Sequence, residues 1–95
     1  MRIVYSKRAL ADLDQIATYY TAHISPTIAE SIGRQLSAVI ARIERHPEVA
    51  PRVTQRSQVR VATVVRYPFR IFYRVNDDTI DILHIRHTSR RPSEI

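Results

Sequence analysis

Tyr67-Pro68-Phe69-Arg70-Ile71-Phe72-Tyr73-Arg74-Val75 decides how the chain is read. A proline precedes strict alternation. Phe69, Ile71, Tyr73 and Val75 point one way, and Arg70, Phe72 and Arg74 the other. Aromatic and β-branched residues suit a pleated strand. At the usual rise, Arg70 and Arg74 stand about 13 Å apart on one face. The strand thus sets an apolar face against a guanidinium face, a rigid support for anionic or carbonyl-rich partners. Solvated strand arginines show the same pattern.

Neighbouring stretches extend this strand into a sheet. Upstream, Val59, Val61, Thr63 and Val65 alternate with Arg60, Ala62, Val64 and Arg66, which predicts a strand from Val59 to Val65. Tyr67-Pro68 turns that strand into the next. Downstream, Asn76-Asp77-Asp78 is a tight turn of residues that bond to their own backbone. A last strand follows from Thr79 to about Arg86. Ile80, Ile82, Leu83 and Ile85 place apolar groups on both of its faces, the mark of an interior strand.

The N-terminal half changes period. Arg2-Ile3-Val4-Tyr5 reads as a short strand and Ser6 as a helix N-cap. A helix to about His23 carries Leu10, Leu13, Ile16, Ala17 and Tyr20 as its apolar stripe, with Asp12 and Asp14 near the positive end of its dipole. Ser25-Pro26 starts a second helix, which His46-Pro47 ends. Ile28, Ile32, Leu36, Val39 and Ile43 give it the cleanest helical period in the chain. Ala29 and Gly33, one turn apart, offer a close approach for the first helix, and Glu30 can pair with Arg34. From Pro47 to Gln58 the pattern is lost, apart from a short strand at Arg52-Val53-Thr54. The tail from His87 to Ile95 reads as irregular. The expected fold is α+β in the order β-α-α-β-β-β, a helix hairpin packed on a small antiparallel sheet. Most of the arginines are expected on the sheet's far face and C-terminal rim.

Composition narrows the function. Ninety-five residues make one small domain, residues 1–95, and 44% hydrophobic content supports one core. No apolar run is long enough for a membrane span or a signal peptide, so a cytoplasmic location is expected. Cysteine is absent, which removes disulfides, thiolate zinc sites and thiol catalysis. The four histidines are dispersed, and no cofactor or metal is expected. One glycine, inside a helix, leaves no phosphate loop. The net charge is +6, and Lys7 is the only lysine among 15 basic residues. Such a balance favours nucleic acid, a nucleic-acid enzyme or an acidic protein as partner. What remains for catalysis is arginine, histidine or tyrosine chemistry at a phosphate. Its candidates are Arg60, Arg70, Arg86, His87, Arg90 and Arg91.

Taken in order, several segments resemble the RelE/ParE superfamily of toxins from bacterial type II toxin-antitoxin modules, and the ParE branch in particular. They are Val4-Tyr5-Ser6, Ala9-x-x-Asp12-Leu13-x-x-Ile16-x-x-Tyr19, Ser25-Pro26-x-x-Ala29, Pro47, Arg66 through Val75, and Ile85-x-His87-x-x-Arg90-Arg91-Pro92. The resemblance implies a toxin held in check by a ParD-type antitoxin and acting on DNA gyrase. The alternatives are ribosome-dependent mRNA cleavage of the RelE type, or a member that binds its antitoxin without toxicity. It assigns target contact to Arg70, Arg86, His87, Arg90 and Arg91, and antitoxin contact to Tyr19, Tyr20, Arg60 and Arg74. The resemblance implies that RelE-type catalysis uses lysines on the strand before Arg70, an arginine at the Arg70 position, another near Arg90, and a late tyrosine or histidine. Arg70 and Arg90 are present, but that strand has no lysine and no late tyrosine follows, which argues against a nuclease. His87 and Arg60 are the residues left to stand in.

Overall fold

The computed structural model describes residues 1–54 and 56–88, the side chains of Arg56 and Ser57 excepted. The elements are β1 (Arg2–Tyr5), α1 (Lys7–His23), α2 (Pro26–Arg45), β2 (Arg52–Val53), β3 (Arg56–Val64), β4 (Phe69–Val75) and β5 (Thr79–His87). The strands form one sheet in the order β1-β5-β4-β3-β2. All neighbours are antiparallel except β1 and β5, which run parallel with Ile3 opposite Ile80 and Tyr5 opposite Ile82. β5 is thus interior, as expected, but not for the reason its letters suggest: Ile80, Ile82 and Ile85 all lie on the core face, and Asp81, His84 and Arg86 on the other. α1 packs on β5 and α2 on β3.

Local chemistry explains both helix starts. Ser6 Oγ accepts from the Ala9 amide at 2.9 Å, and Ser25 Oγ accepts from Thr27 and Ile28 at 3.1 and 3.2 Å. Ile32, Leu36, Val39 and Ile43 are buried along α2 as the period predicts. In α1 the buried line is Ala9, Asp12 and Ile16, with Leu13 and Tyr20 packed beside it. Leu10 of the expected stripe is 54% exposed, and Ala17 is exposed as well. The helix is rotated because a polar residue, Asp12, has to face β5.

Asp12 is only 6% exposed. β1 stops pairing with β5 at Tyr5, and beyond that point α1 takes over the open edge. The Ser6 amide donates to the Ile82 carbonyl at 2.9 Å and Ser6 Oγ donates to the Leu83 carbonyl at 2.8 Å. Asp12 Oδ2 accepts from the Ile85 amide at 2.9 Å and meets His84 Nδ1 at 2.6 Å, while Arg8 Nε donates to Asp12 Oδ1 at 3.2 Å. One register slip makes this edge irregular. Phe72 pairs with His84 and Tyr73 with Ile82, which leaves Leu83 as the extra residue of a bulge. The bulge switches phase, so Ile80 and Ile82 before it and Ile85 and His87 after it are all buried.

The core face of β4 is Phe69, Ile71 and Tyr73, each fully buried. On β3 the matching positions are Ala62 and Val64. β3 begins earlier than expected, at Arg56, and ends before Val65, which sits in the turn at 91% exposure. Tyr67, read from sequence only as part of that turn, donates its hydroxyl to Ser31 Oγ at 2.8 Å and ties the turn to α2. The other end is held by a cross-strand pair. Arg60 Nη1 donates to the Glu48 and Ala50 carbonyls at 2.9 and 2.7 Å, and its partner Tyr73 donates to the Pro47 carbonyl at 2.7 Å. Burial pushes the Tyr73 phenol above its ordinary value, against the opposing pull of Arg60 and the Ala50 backbone.

Two outcomes follow. Asp12→Ala strands a buried amide and should cost about 2–3 kcal/mol in urea unfolding, with Asp12→Asn losing roughly half as much. The raised Tyr73 pKa means the unfolded chain releases that proton first. Its contribution is therefore full below about pH 10 and declines as pH rises past it. Alkaline denaturation followed in parallel should show a shallower fall with pH for Tyr73→Phe than for the native chain.

Candidate interaction faces

The face of the sheet away from the helices is a grid fixed by strand register. Thr63, Arg70 and Arg86 form one row, Val61, Phe72 and His84 the next, and Val59, Arg74 and Asp81 the third. Residues directly opposite on antiparallel neighbours stand about 5 Å apart, so each row is a set of side-chain neighbours.

Charge is unevenly balanced across that grid. Arg74 Nη2 lies 3.6 Å from Asp81 Oδ2. Asp81 also accepts from Thr79 Oγ1 at 3.0 Å and from Asn76 Nδ2, so the turn after β4 neutralises this end. Arg70 and Arg86 stand opposite one another, both exposed, and neither has a carboxylate partner among the described residues. Like charges in directly opposed positions repel, so this row lowers stability. Between the two ends lies an aromatic pair. The Phe72 and His84 rings are near-parallel, with an interplanar angle of 20° and centroids 5.9 Å apart.

The residues assigned to target contact are therefore split. Arg70 and Arg86 come together on the far face. His87 lies on the opposite side, 5% exposed, its ring edge-on to Phe69 with centroids 5.2 Å apart. Arg90 and Arg91 lie outside the described residues. Among the described residues the far face takes Arg70, Arg74 and Arg86, whereas Arg8, Arg34, Arg42 and Arg45 stand on the helices; the rim expected to share the arginines with that face includes Arg90 and Arg91, outside the described residues. Helical spacing puts Arg34 against Glu30 at 3.0 Å, as expected. His84 and Phe72 were missed as members of a site. The alternation of β4 pointed to Phe72, but nothing local in the sequence joins His84 to Asp12.

The residues assigned to antitoxin contact also separate. Tyr19 and Tyr20 are half-buried near the end of α1, edge-on to each other at 5.3 Å, and Tyr19 lies 5.0 Å from the His23 ring. Tyr20 continues onto Phe69 at 6.1 Å. Arg60 and Arg74 sit on β3 and β4, where the Arg60 guanidinium is engaged by loop carbonyls. A groove of about 240 Å³ runs along the helix hairpin, lined in part by Tyr5, Leu13, Ala17, Ala29 and Gly33. A Cβ on Gly33 would meet nothing within 4 Å. α1 and α2 pack on each other, but at Gly33 the small residue leaves the groove open rather than making a close helix contact.

A two-helix hairpin on a five-stranded sheet is also the fold of the E. coli RelE toxin. The isolated toxin superposes with a TM-score of 0.61 at 12% identity, covering 98% of this chain and 89% of that one. A chain of the intact E. coli RelBE toxin-antitoxin complex gives 0.60 at 14% identity, covering 95% and 98%. These likenesses define the fold. The chromosomal ParDE system of P. aeruginosa contains a more similar chain, with a TM-score of 0.75 and 28% identity over 94% of this chain and 97% of that one. A curated relative, Toxin RelE2 of Caulobacter vibrioides, is 32% identical over 93 residues, 94% of this chain and 97% of its own length. Residues 3–92 match the model of the ParE toxin of the type II toxin-antitoxin system parDE, and the chain belongs to that family.

Relief of the Arg70–Arg86 repulsion is measurable. Arg70→Gln should raise stability at low salt by roughly 0.2–0.5 kcal/mol. Screening should erase the gain at high salt, a comparison that thermal melts at two ionic strengths provide.

Proposed function

We propose that this chain is a gyrase-directed toxin, a single domain working in the cytoplasm and neutralised by a ParD-type antitoxin. The observation that carries the reading is the ParE family match over residues 3–92, to which the P. aeruginosa ParDE likeness at 28% identity adds support. The chemistry of the far face agrees with a binding role. Arg70 is flanked in its row by Thr63 and Arg86, neither of which moves protons at neutral pH. The pair has charge to offer and no described counter-ion. The open hairpin groove, with its apolar lining and small residues, suits the amphipathic segment of an antitoxin. Tyr19 and Tyr20 extend that surface at the end of α1. Carboxylates on the same segment can reach arginines on the helices, among them Arg42 and Arg45. Among the described residues no helix is long and apolar enough to cross a membrane.

One observation favours mRNA cleavage as a second reading. Asp12 holds His84 by Nδ1, and His84 is two residues from Arg86 on the same strand. An oriented imidazole beside two guanidiniums is a workable acid-base and phosphate-stabilising set.

The deciding experiment is a supercoiling and cleavage assay with purified gyrase and antitoxin-free toxin, run beside a translating extract. The gyrase reading expects trapped cleaved DNA, at least tenfold less of it with Arg70→Glu, and intact mRNA. Unaffected gyrase together with codon-phased mRNA cuts that disappear in His84→Gln would replace it with the second reading.

A further inference from the structure

The far face carries more than charge. Two rings lie near-parallel in the row beside two arginines without described counter-ions, and Val65 stands 91% exposed at the turn beyond them. We propose that this face binds single-stranded DNA, with a base on the Phe72–His84 platform and adjoining phosphates on Arg70 and Arg86. The proposal rests on the gyrase reading for the choice of DNA over RNA. It goes further by making the opened DNA strand, and not only the enzyme, the toxin's contact.

Three features argue for this occupant. First, the charge is placed rather than diffuse. Arg74 at the far end is neutralised by Asp81, so on the three rows of this face the arginines without a described counter-ion are Arg70 and Arg86, beside the rings. A phosphate there relieves a repulsion that the fold otherwise tolerates. Second, the platform is rigid. His84 is fixed at Nδ1 by Asp12 and Phe72 by its place on an interior strand, so little side-chain freedom is lost on stacking. Third, successive rows are spaced by two residues along the strands, about 6.7 Å. That separation lets one nucleotide reach both the ring row and the arginine row. An acidic protein segment would use the arginines but would gain little from the free ring face of a stacked pair. A duplex hides the base faces that the rings need.

The test is fluorescence anisotropy of labelled oligothymidylate, oligouridylate and a DNA duplex against antitoxin-free toxin. The expected result is a preference for oligothymidylate over duplex. Phe72→Leu, which keeps apolar volume but loses the π face, should weaken it about tenfold. Affinity should fall with salt at a log-log slope of about −1.4 for two phosphate contacts, and Arg86→Gln should halve that slope to about −0.7. Circular dichroism and thermal melts confirm that each variant is folded. Duplex bound as tightly as the single strand, unchanged affinity in Phe72→Leu, or preference for oligouridylate would each overturn the proposal. Gyrase trapping that persists in a Phe72→Leu toxin unable to bind oligothymidylate would sink this inference and leave the gyrase reading standing. Oligothymidylate binding without any effect on gyrase would do the reverse.

Discussion

The carboxylate of Asp12 is the tie on which the rest depends. It sits on α1, yet it accepts the amide of Ile85 on β5, far away in the chain. β1 pairs with β5 for only four residues, and a bulge at Leu83 then disturbs the strand. An interior strand cannot leave amides unpaired without losing about the desolvation cost of each. Ser6 and Asp12 supply the missing partners, so the first turns of α1 act as a continuation of β1. One residue thereby sets the rotation of α1, the phase of β5 after the bulge, and the position of His84.

From that tie the far face acquires its character. A strand held on both sides presents its outward side chains in fixed rows, and the rows decide which charges meet. Asp81 answers Arg74, but nothing described answers Arg70 or Arg86. The cost of keeping two like charges opposed is small for one exposed pair, so the fold tolerates it. The helix side carries a different surface, an apolar groove that Gly33 leaves unfilled. The Arg70–Arg86 row and the apolar groove thus lie on opposite sides of the domain.

Much of the architecture was legible because its signals are local. Ser25-Pro26, the period of α2, the alternation of β4 and the turn at Asn76-Asp77-Asp78 each stand where the residues predicted. Errors came where a residue answers to a distant partner. Leu10 looked like core because its spacing fits a stripe, but the stripe is turned by Asp12. Asp12 itself read as a dipole partner, since acidic residues near a helix start need no further explanation. Arg60 reads from sequence as a candidate for phosphate chemistry and antitoxin contact; what the sequence does not show is that Tyr73 across the strand and the loop carbonyls beside it also give its guanidinium a structural place.

By itself, then, the sequence determined the elements and which face of β4 is buried. Periodicity and capping act over a few residues, and the amino acids state them directly. Only the tertiary structure decided that β1 lies parallel to β5, that Leu83 bulges, that Asp12 reaches His84 and Ile85, and that Arg86 faces Arg70. These depend on which segments meet in space and in what register. A one-residue slip in strand pairing would have produced a different grid from the same letters.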